Sequence, residues 1–167
     1  ERRYILELGQ SEWIARRQNL LILGPTGSGK SYLASALGVA ATRNQYTVRY
    51  HRVARLLHAL TLARQEGTLL NFLRSLAKTK LLIIDDWMRD TITIQNAQDL
   101  LEVLDDRFGH AATLISSQVP VADWHLRIPD PTLADAILDR IVHTAHRVQL
   151  EGESQRKLRA KRSMSHS

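Results

Sequence analysis

The stretch Leu20-Leu21-Ile22-Leu23-Gly24-Pro25-Thr26-Gly27-Ser28-Gly29-Lys30-Ser31 constrains this chain more than any other. An apolar run stops in a glycine-rich turn and passes straight into a segment of helical pattern, Tyr32-Leu33-Ala34-Ser35-Ala36-Leu37. Gly24, Gly29, Lys30 and Ser31 match G-x-x-x-x-G-K-[ST] without insertion, in the strand, turn and helix setting that the motif requires. Glycines let backbone N–H groups converge on phosphate oxygens, and the helix N-terminus that follows adds positive potential. Gly24, Pro25, Thr26, Gly27, Ser28, Gly29, Lys30 and Ser31, with Tyr32 next to them, are therefore expected to hold the phosphates of a nucleotide. Lys30 is expected to bridge the β- and γ-phosphates, and the Ser31 hydroxyl to meet Mg²⁺. A glycine turn with an incidental lysine would leave the full match and both flanks unexplained.

Such a loop needs a carboxylate at the end of a neighbouring buried strand, because the metal must be held from two sides. Leu81-Leu82-Ile83-Ile84 is a continuous apolar run of the kind found in strands buried on both faces, and it ends in Asp85-Asp86. Asp85 is expected to hold the metal, largely through water given magnesium's reluctance to dehydrate. Asp86 would point to the other side and orient the attacking water. The bland alternative is a pair of carboxylates capping a strand end. Ala111-Ala112-Thr113-Leu114-Ile115 reads as a further strand running into Ser116-Ser117-Gln118, where Ser117 or Gln118 is expected to reach the γ-phosphate or the water. An ordinary polar turn remains the competing reading there. Arg140 is a candidate to neutralise transition-state charge from a neighbouring subunit, against a plain salt bridge to Asp139 or Asp135.

Around these motifs strands and helices alternate, which predicts an α/β domain with about five parallel strands and helices on both sides. Residues 1–19 read as a lead-in helix and loop, with Trp13 and Ile14 assigned to the core rather than to a base pocket. Helical spacing covers 30–43, strand pattern 46–50, two helical segments 51–78, a helix 92–109, a helix 133–144, a short strand 147–150 and a basic helical tail 153–162. Residues 163–167 are expected to be disordered. The polar faces of 51–78 are unusually basic, with Arg52, Arg55, Arg64, Arg74 and Lys78.

At 167 residues the chain has room for one domain with a real core. Its 23 Lys and Arg against 17 Asp and Glu, a net charge of +6, favour a polyanionic partner, with a solvated basic surface as the alternative. Absence of cysteine excludes disulfides and thiolate metal sites. No apolar run reaches the roughly 18 residues of a membrane span. The chain starts at Glu1, so we expect it to be a fragment.

Several stretches together resemble the IstB family, ATPase helpers of insertion-sequence transposition, which sit beside the bacterial helicase loader DnaC in the AAA+ superfamily. They are Asn19 to Ser31, Leu81-Leu82-Ile83-Ile84-Asp85-Asp86-Trp87, Thr113 to Val121, Asp130-Pro131-Thr132-Leu133-Ala134-Asp135-Ala136-Ile137-Leu138-Asp139-Arg140-Ile141-Val142-His143, and Gly152-Glu153-Ser154. The resemblance implies an AAA+ core over 1–158 with a helical DNA-binding insertion at 51–78, a basic tail at 159–167, no separate C-terminal lid domain, and a family N-terminal region that this chain lacks. It also implies ATP or ADP with Mg²⁺, Gln118 at a sensor position, Arg140 as an arginine finger, and Arg156 as a nucleotide-sensing arginine after the Gly-Glu-Ser motif. Two departures are Met88, followed by Arg89-Asp90, where the family usually has Gly, and the family's helical N-terminal region, expected to be lacking here; Asp86, standing where many related ATPases carry Glu, keeps a poorly hydrolysing scaffold in view.

What the resemblance implies about function is a bacterial, cytoplasmic ATPase that self-associates into a ring or helical oligomer on duplex DNA and recruits or stimulates a transposase. Three alternatives stay open: a DnaC-like loader binding single-stranded DNA, a small-molecule kinase, and a nucleotide-binding scaffold that hydrolyses poorly. The kinase would need a lid-like arginine pair, and the later half offers none.

Overall fold

The computed structural model describes residues 2–151 and 163–164. Arg156, the Gly152-Glu153-Ser154 stretch and most of the basic tail lie outside the described residues. Five strands, β1 (Leu20–Leu23), β2 (Val48–Arg52), β3 (Leu81–Asp85), β4 (Ala112–Ser117) and β5 (His146–Gln149), form one sheet in the order β2-β3-β4-β1-β5. Every pairing is parallel. The three central strands β3, β4 and β1 are buried at all positions, as continuous apolar runs covered on both faces must be. All five strands therefore end at the same edge, and the turns that leave β1, β3 and β4 meet there.

Side chains alternate across the sheet, so each strand feeds two cores. Leu20, Ile22, Leu81, Ile83, Ala112, Leu114 and Val148 face α1 (Arg2–Leu8), α2 (Glu12–Ala15) and α3 (Lys30–Arg43). Leu21, Leu23, Leu82, Ile84 and Ile115 face the other layer: α4 (Val53–Glu66), α5 (Leu69–Lys78), α6 (Ile94–Arg107), α7 (Val121–Trp124) and α8 (Pro131–Val142). Trp13 and Ile14 are each 4% exposed and belong to the first core, with the Trp13 indole N–H donating to the Leu8 carbonyl at 3.0 Å.

Helix α3 packs closely on the sheet because Gly38 lies against β3: a Cβ there would stand 3.0 Å from Ile83 Cδ1. Helix α8 starts at Pro131, two residues before its sequence pattern suggests. Asp130 caps it by accepting from the Leu133 N–H at 2.9 Å, and proline at the first helical position needs no partner for an N–H. The lead-in region is two short helices rather than one, and β2 runs on through Arg52, so Arg52 extends from a strand end and not from a helix. Asn19, just ahead of β1, donates to the carbonyls of Arg140 and Ile141 at 3.1 and 3.4 Å and accepts from the Thr113 N–H at 3.0 Å. It ties the end of α8 to the N-terminal edge of the sheet, the edge away from the glycine-rich turn.

Candidate nucleotide site

The turn 24–29 sits between the end of β1 and the start of α3, where the sheet delivers it to β3 and β4. Gly24 has no room for a side chain: a Cβ would stand 2.5 Å from the Leu150 carbonyl oxygen. Gly29 has φ of 97° at the N-cap of α3, a left-handed conformation that glycine adopts freely. Lys30 is buried, and its ammonium donates to the Pro25 carbonyl at 2.8 Å. Burial lowers the Lys30 pKa, while the negative charges of Asp85 and Asp86 oppose that shift. Ser28 is 7% exposed and its hydroxyl has no hydrogen-bond partner. A buried hydroxyl without a partner is costly, and this one lies against Gly24, within the turn itself.

Asp85, at the end of β3, is 1% exposed and fully engaged. Its Oδ2 accepts from the Ser31 hydroxyl at 2.8 Å and from the Tyr50 phenol; its Oδ1 accepts from the Ser116 hydroxyl and, at 3.0 Å, from the Asp86 N–H. Burial alone would raise the Asp85 pKa, but the hydrogen bonds from Ser116, Tyr50, Ser31 and Asp86 outweigh it and hold it below the usual carboxylate value. The carboxylate is therefore ionised at neutral pH. Tyr50 is pushed up to about 12 by burial first, then by the hydrogen bond to Asp85 and its charge, against a smaller opposing effect of Arg52. Its hydroxyl thus stays a donor.

Ser31 and Asp85 supply two oxygens in contact across the cradle, the hard donor set that Mg²⁺ takes together with phosphate and water. Among the described residues no cluster of three His, Cys, Asp or Glu offers an all-protein metal cage. The residues present fit a metal that arrives with a nucleotide.

Asp86 is half-buried with φ of 58°, in the left-handed region. It lines a cleft with Arg52, Arg55, Arg89 and Asp90. Gln118 lies at the rim of the loop, its side-chain oxygen accepting from the Thr26 hydroxyl. Ser117, its alternative in the sequence, has a structural role: its buried hydroxyl donates to the Trp87 carbonyl at 2.6 Å and accepts from the Val119 N–H at 3.1 Å. Between α1, the loop and the end of β5 lies an open cleft of about 1070 Å³ lined by Ile5, Leu6, Ser28, Tyr32, Gln149 and Leu150 among others. Leu6 and Tyr32, 65% and 82% exposed, offer it unpartnered apolar surface of the kind a nucleoside would cover.

Arg140 does not join this constellation. It lies in the last turn of α8, with its guanidinium donating to Asp105 and Asp139, both at 2.6 Å, and stacked 5.3 Å from the centroid of Phe108. Arg52, Arg55, Arg64, Arg74 and Lys78 are all exposed, but Arg64 differs in pairing with the buried Asp99 of α6, which ties α4 to its neighbour.

Sequence reasoning missed Tyr50 and Ser116 around Asp85, and Ile5 and Leu6 in the open cleft. Ser116 carried a signal, since it shares a tripeptide with Gln118. Tyr50 carried one only through β2 register, where Arg52 pairs with Asp85 and Tyr50 with Ile83, on the same face.

A parallel sheet of this strand order, with a G-x-x-x-x-G-K-S turn after β1, a buried aspartate at the end of β3 and a polar residue after β4, is the P-loop fold of the AAA+ type. Solved structures agree on the fold: the DnaC helicase loader superposes with a TM-score of 0.75 at 17% identity over 90% of this chain and 89% of that one. The replication initiator DnaA bound to AMPPCP and single-stranded DNA gives 0.73 at 17% identity over 95% of this chain and 50% of that one. The profile of the IstB-like ATP binding protein family matches residues 1–163, and the chain belongs to that family. An insertion sequence ATP-binding protein of Sinorhizobium fredii is 47% identical over 163 residues, covering 98% of this chain and 66% of that protein. The chain thus spans just under two thirds of that relative's length. Among the described residues no helix is long and apolar enough to cross a membrane.

Proposed function

We propose that this domain binds ATP with Mg²⁺, hydrolyses it at a site completed by a second copy of the chain, and uses that cycle to assemble on duplex DNA for a transposase. The observation that carries the reading is the Ser31–Asp85 contact at 2.8 Å, beside an unpartnered Ser28 hydroxyl and a buried Lys30. Phosphates entering the cradle satisfy Ser28 and draw the Lys30 ammonium from the Pro25 carbonyl. Mg²⁺, held by Ser31 and by Asp85 through water, would neutralise charge between the β- and γ-phosphates. Asp86 orients the water that attacks the γ-phosphorus as the bond to the bridging oxygen breaks, and Gln118 steadies the same region from the β4 side. The shorter Asp in place of Glu favours slow turnover, since small misplacement of the water is expensive.

Arg140 acts in trans on this reading. Its backbone is tied by Asn19 to the N-terminal edge of the sheet, so its own loop is at the far edge and a neighbour's loop is the available target. Mixing tests this directly. Lys30→Ala and Arg140→Ala proteins should each be almost inactive, while an equal mixture regains roughly a quarter of the unsubstituted rate, the share of sites combining an intact loop with an intact finger. No recovery on mixing, with both variants folded and oligomeric, refutes the shared site.

Insertion-sequence relatives support the transposition setting, and the exposed Arg52, Arg55, Arg74 and Lys78 are the cations proposed to meet DNA phosphates. Four such contacts predict that log affinity for duplex falls with log salt at a slope of about −3.6. Binding should be largely independent of sequence, because phosphate contacts carry no base information. A slope near zero would remove the basic segment from the interface, and a marked preference for single strands in competition would favour the loader reading.

A further inference from the structure

We propose that Tyr50 is a positioning residue for the metal half of the site, fixing through its hydroxyl the orientation of the Asp85 carboxylate. The inference rests on the nucleotide-and-metal reading above and adds a residue that the loop and strand-end motifs do not contain.

A carboxylate has about four lone-pair sites, and in this structure all four are used. Oδ1 takes the Ser116 hydroxyl and the Asp86 N–H, while Oδ2 takes Ser31 and Tyr50. Of these donors only Ser31 belongs to the phosphate loop. When Ser31 turns toward a metal it leaves one position on Oδ2, and the direction of that position is set by the other bond on the same oxygen, the one from Tyr50. Ser116 and the Asp86 N–H hold the far oxygen and fix the carboxylate's axis, but not how Oδ2 is shared. Tyr50 is thus the side chain that leaves Asp85 one free acceptor aimed at the loop.

The placement of Tyr50 suits that task. It stands on edge strand β2 in register with Ile83, two residues before Asp85, and Arg52 follows it on the same face in register with Asp85 itself. With 42% of its surface exposed, the ring is not there to fill a core. An exposed phenol that reaches inward to a buried carboxylate does so by its hydroxyl, so phenylalanine removes the function and keeps the ring. Outer partners of metal ligands typically change metal affinity or activity by 10–100-fold when removed.

The test is the Mg²⁺ dependence of nucleotide binding, read by fluorescence of a labelled ATP analogue and independent of turnover. Tyr50→Phe should leave affinity in EDTA within about twofold of the unsubstituted protein, and raise the Mg²⁺ concentration for half-maximal enhancement about tenfold. Saturating Mg²⁺ should restore much of the ATP turnover of the variant. A Mg²⁺ midpoint that shifts less than twofold in a variant of unchanged melting temperature overturns the positioning role while leaving the nucleotide site intact. If Mg²⁺ fails to enhance binding to the unsubstituted protein, the metal reading falls and the role of Tyr50 with it, a result distinguishable because it appears before any substitution. A general loss of affinity in EDTA as well would mark Tyr50 as structural and also overturn the proposal.

Discussion

Lys30→Ala should abolish ATP-dependent behaviour without unfolding the protein. The ammonium is buried in the loop with a backbone carbonyl as its partner, and burial lowers its pKa even with Asp85 and Asp86 nearby. Holding a cation there works against the free protein and is repaid only when phosphates arrive. Charge-assisted hydrogen bonds contribute about 1.5–3 kcal/mol each. Losing two of them to the β- and γ-phosphates predicts at least a hundredfold drop in affinity and turnover. Alanine also removes a desolvated charge, so the melting temperature of the nucleotide-free protein should hold or rise slightly. The unsubstituted protein at about one hundred times its Kd for Mg·ATP should gain about 2.7 kcal/mol, roughly 5–10 °C for a domain of this size. Differential scanning fluorimetry with and without Mg·ATP reads both effects. A Lys30→Ala protein that keeps its ATP-induced shift would refute the assigned cradle.

That loop was legible in the sequence because its geometry is local: contiguous residues make the turn and the helix start. Asp85 was legible for a similar reason, since the apolar run before it can only be a buried central strand, and such a strand must deliver its last residue to the sheet's C-terminal edge. The five-strand α/β class followed from the alternation. Tyr50 was not legible, because what makes it relevant is the register of β2 on β3, a non-local pairing that the pattern of either strand leaves undetermined. Element ends failed where caps outweigh periodicity. Asp130 and Pro131 start α8 ahead of its first leucine, and pairing with β3 carries β2 through His51 and Arg52 although their side chains are polar. Arg64, grouped in the sequence with the other basic residues of 51–78, differs because Asp99 lies on another helix.

The least legible residue is Arg107, which in the sequence ends a polar Asp105-Asp106-Arg107 run and looks like a solvated cation in the last turn of α6. It is instead 1% exposed. Its Nη1 donates to the carbonyls of Leu76 and Thr79, both at 2.6 Å, its Nε to the Thr113 hydroxyl at 3.0 Å, and its Nη2 to the Ala112 carbonyl. Burial pulls its pKa down to about 10, so it is still charged at neutral pH. No carboxylate pairs with it among the described residues. Its counter-charge is the carbonyl end of α5, where the helix dipole is negative. One guanidinium thereby fastens α5, the second helix of the proposed DNA segment, to α6 and β4. Arg107→Met keeps the apolar stem but strands several buried acceptors, each costing about 1–3 kcal/mol, and should destabilise the domain by about 3–5 kcal/mol. That is a fall of roughly 6–20 °C in melting temperature for a chain of this length. Arg107→Lys, whose point charge cannot span all four acceptors, should recover part of the loss. A methionine variant within 1 kcal/mol of the parent in urea unfolding would show that α5 is held by Leu73 and Leu76 packing alone, with the guanidinium merely accommodated.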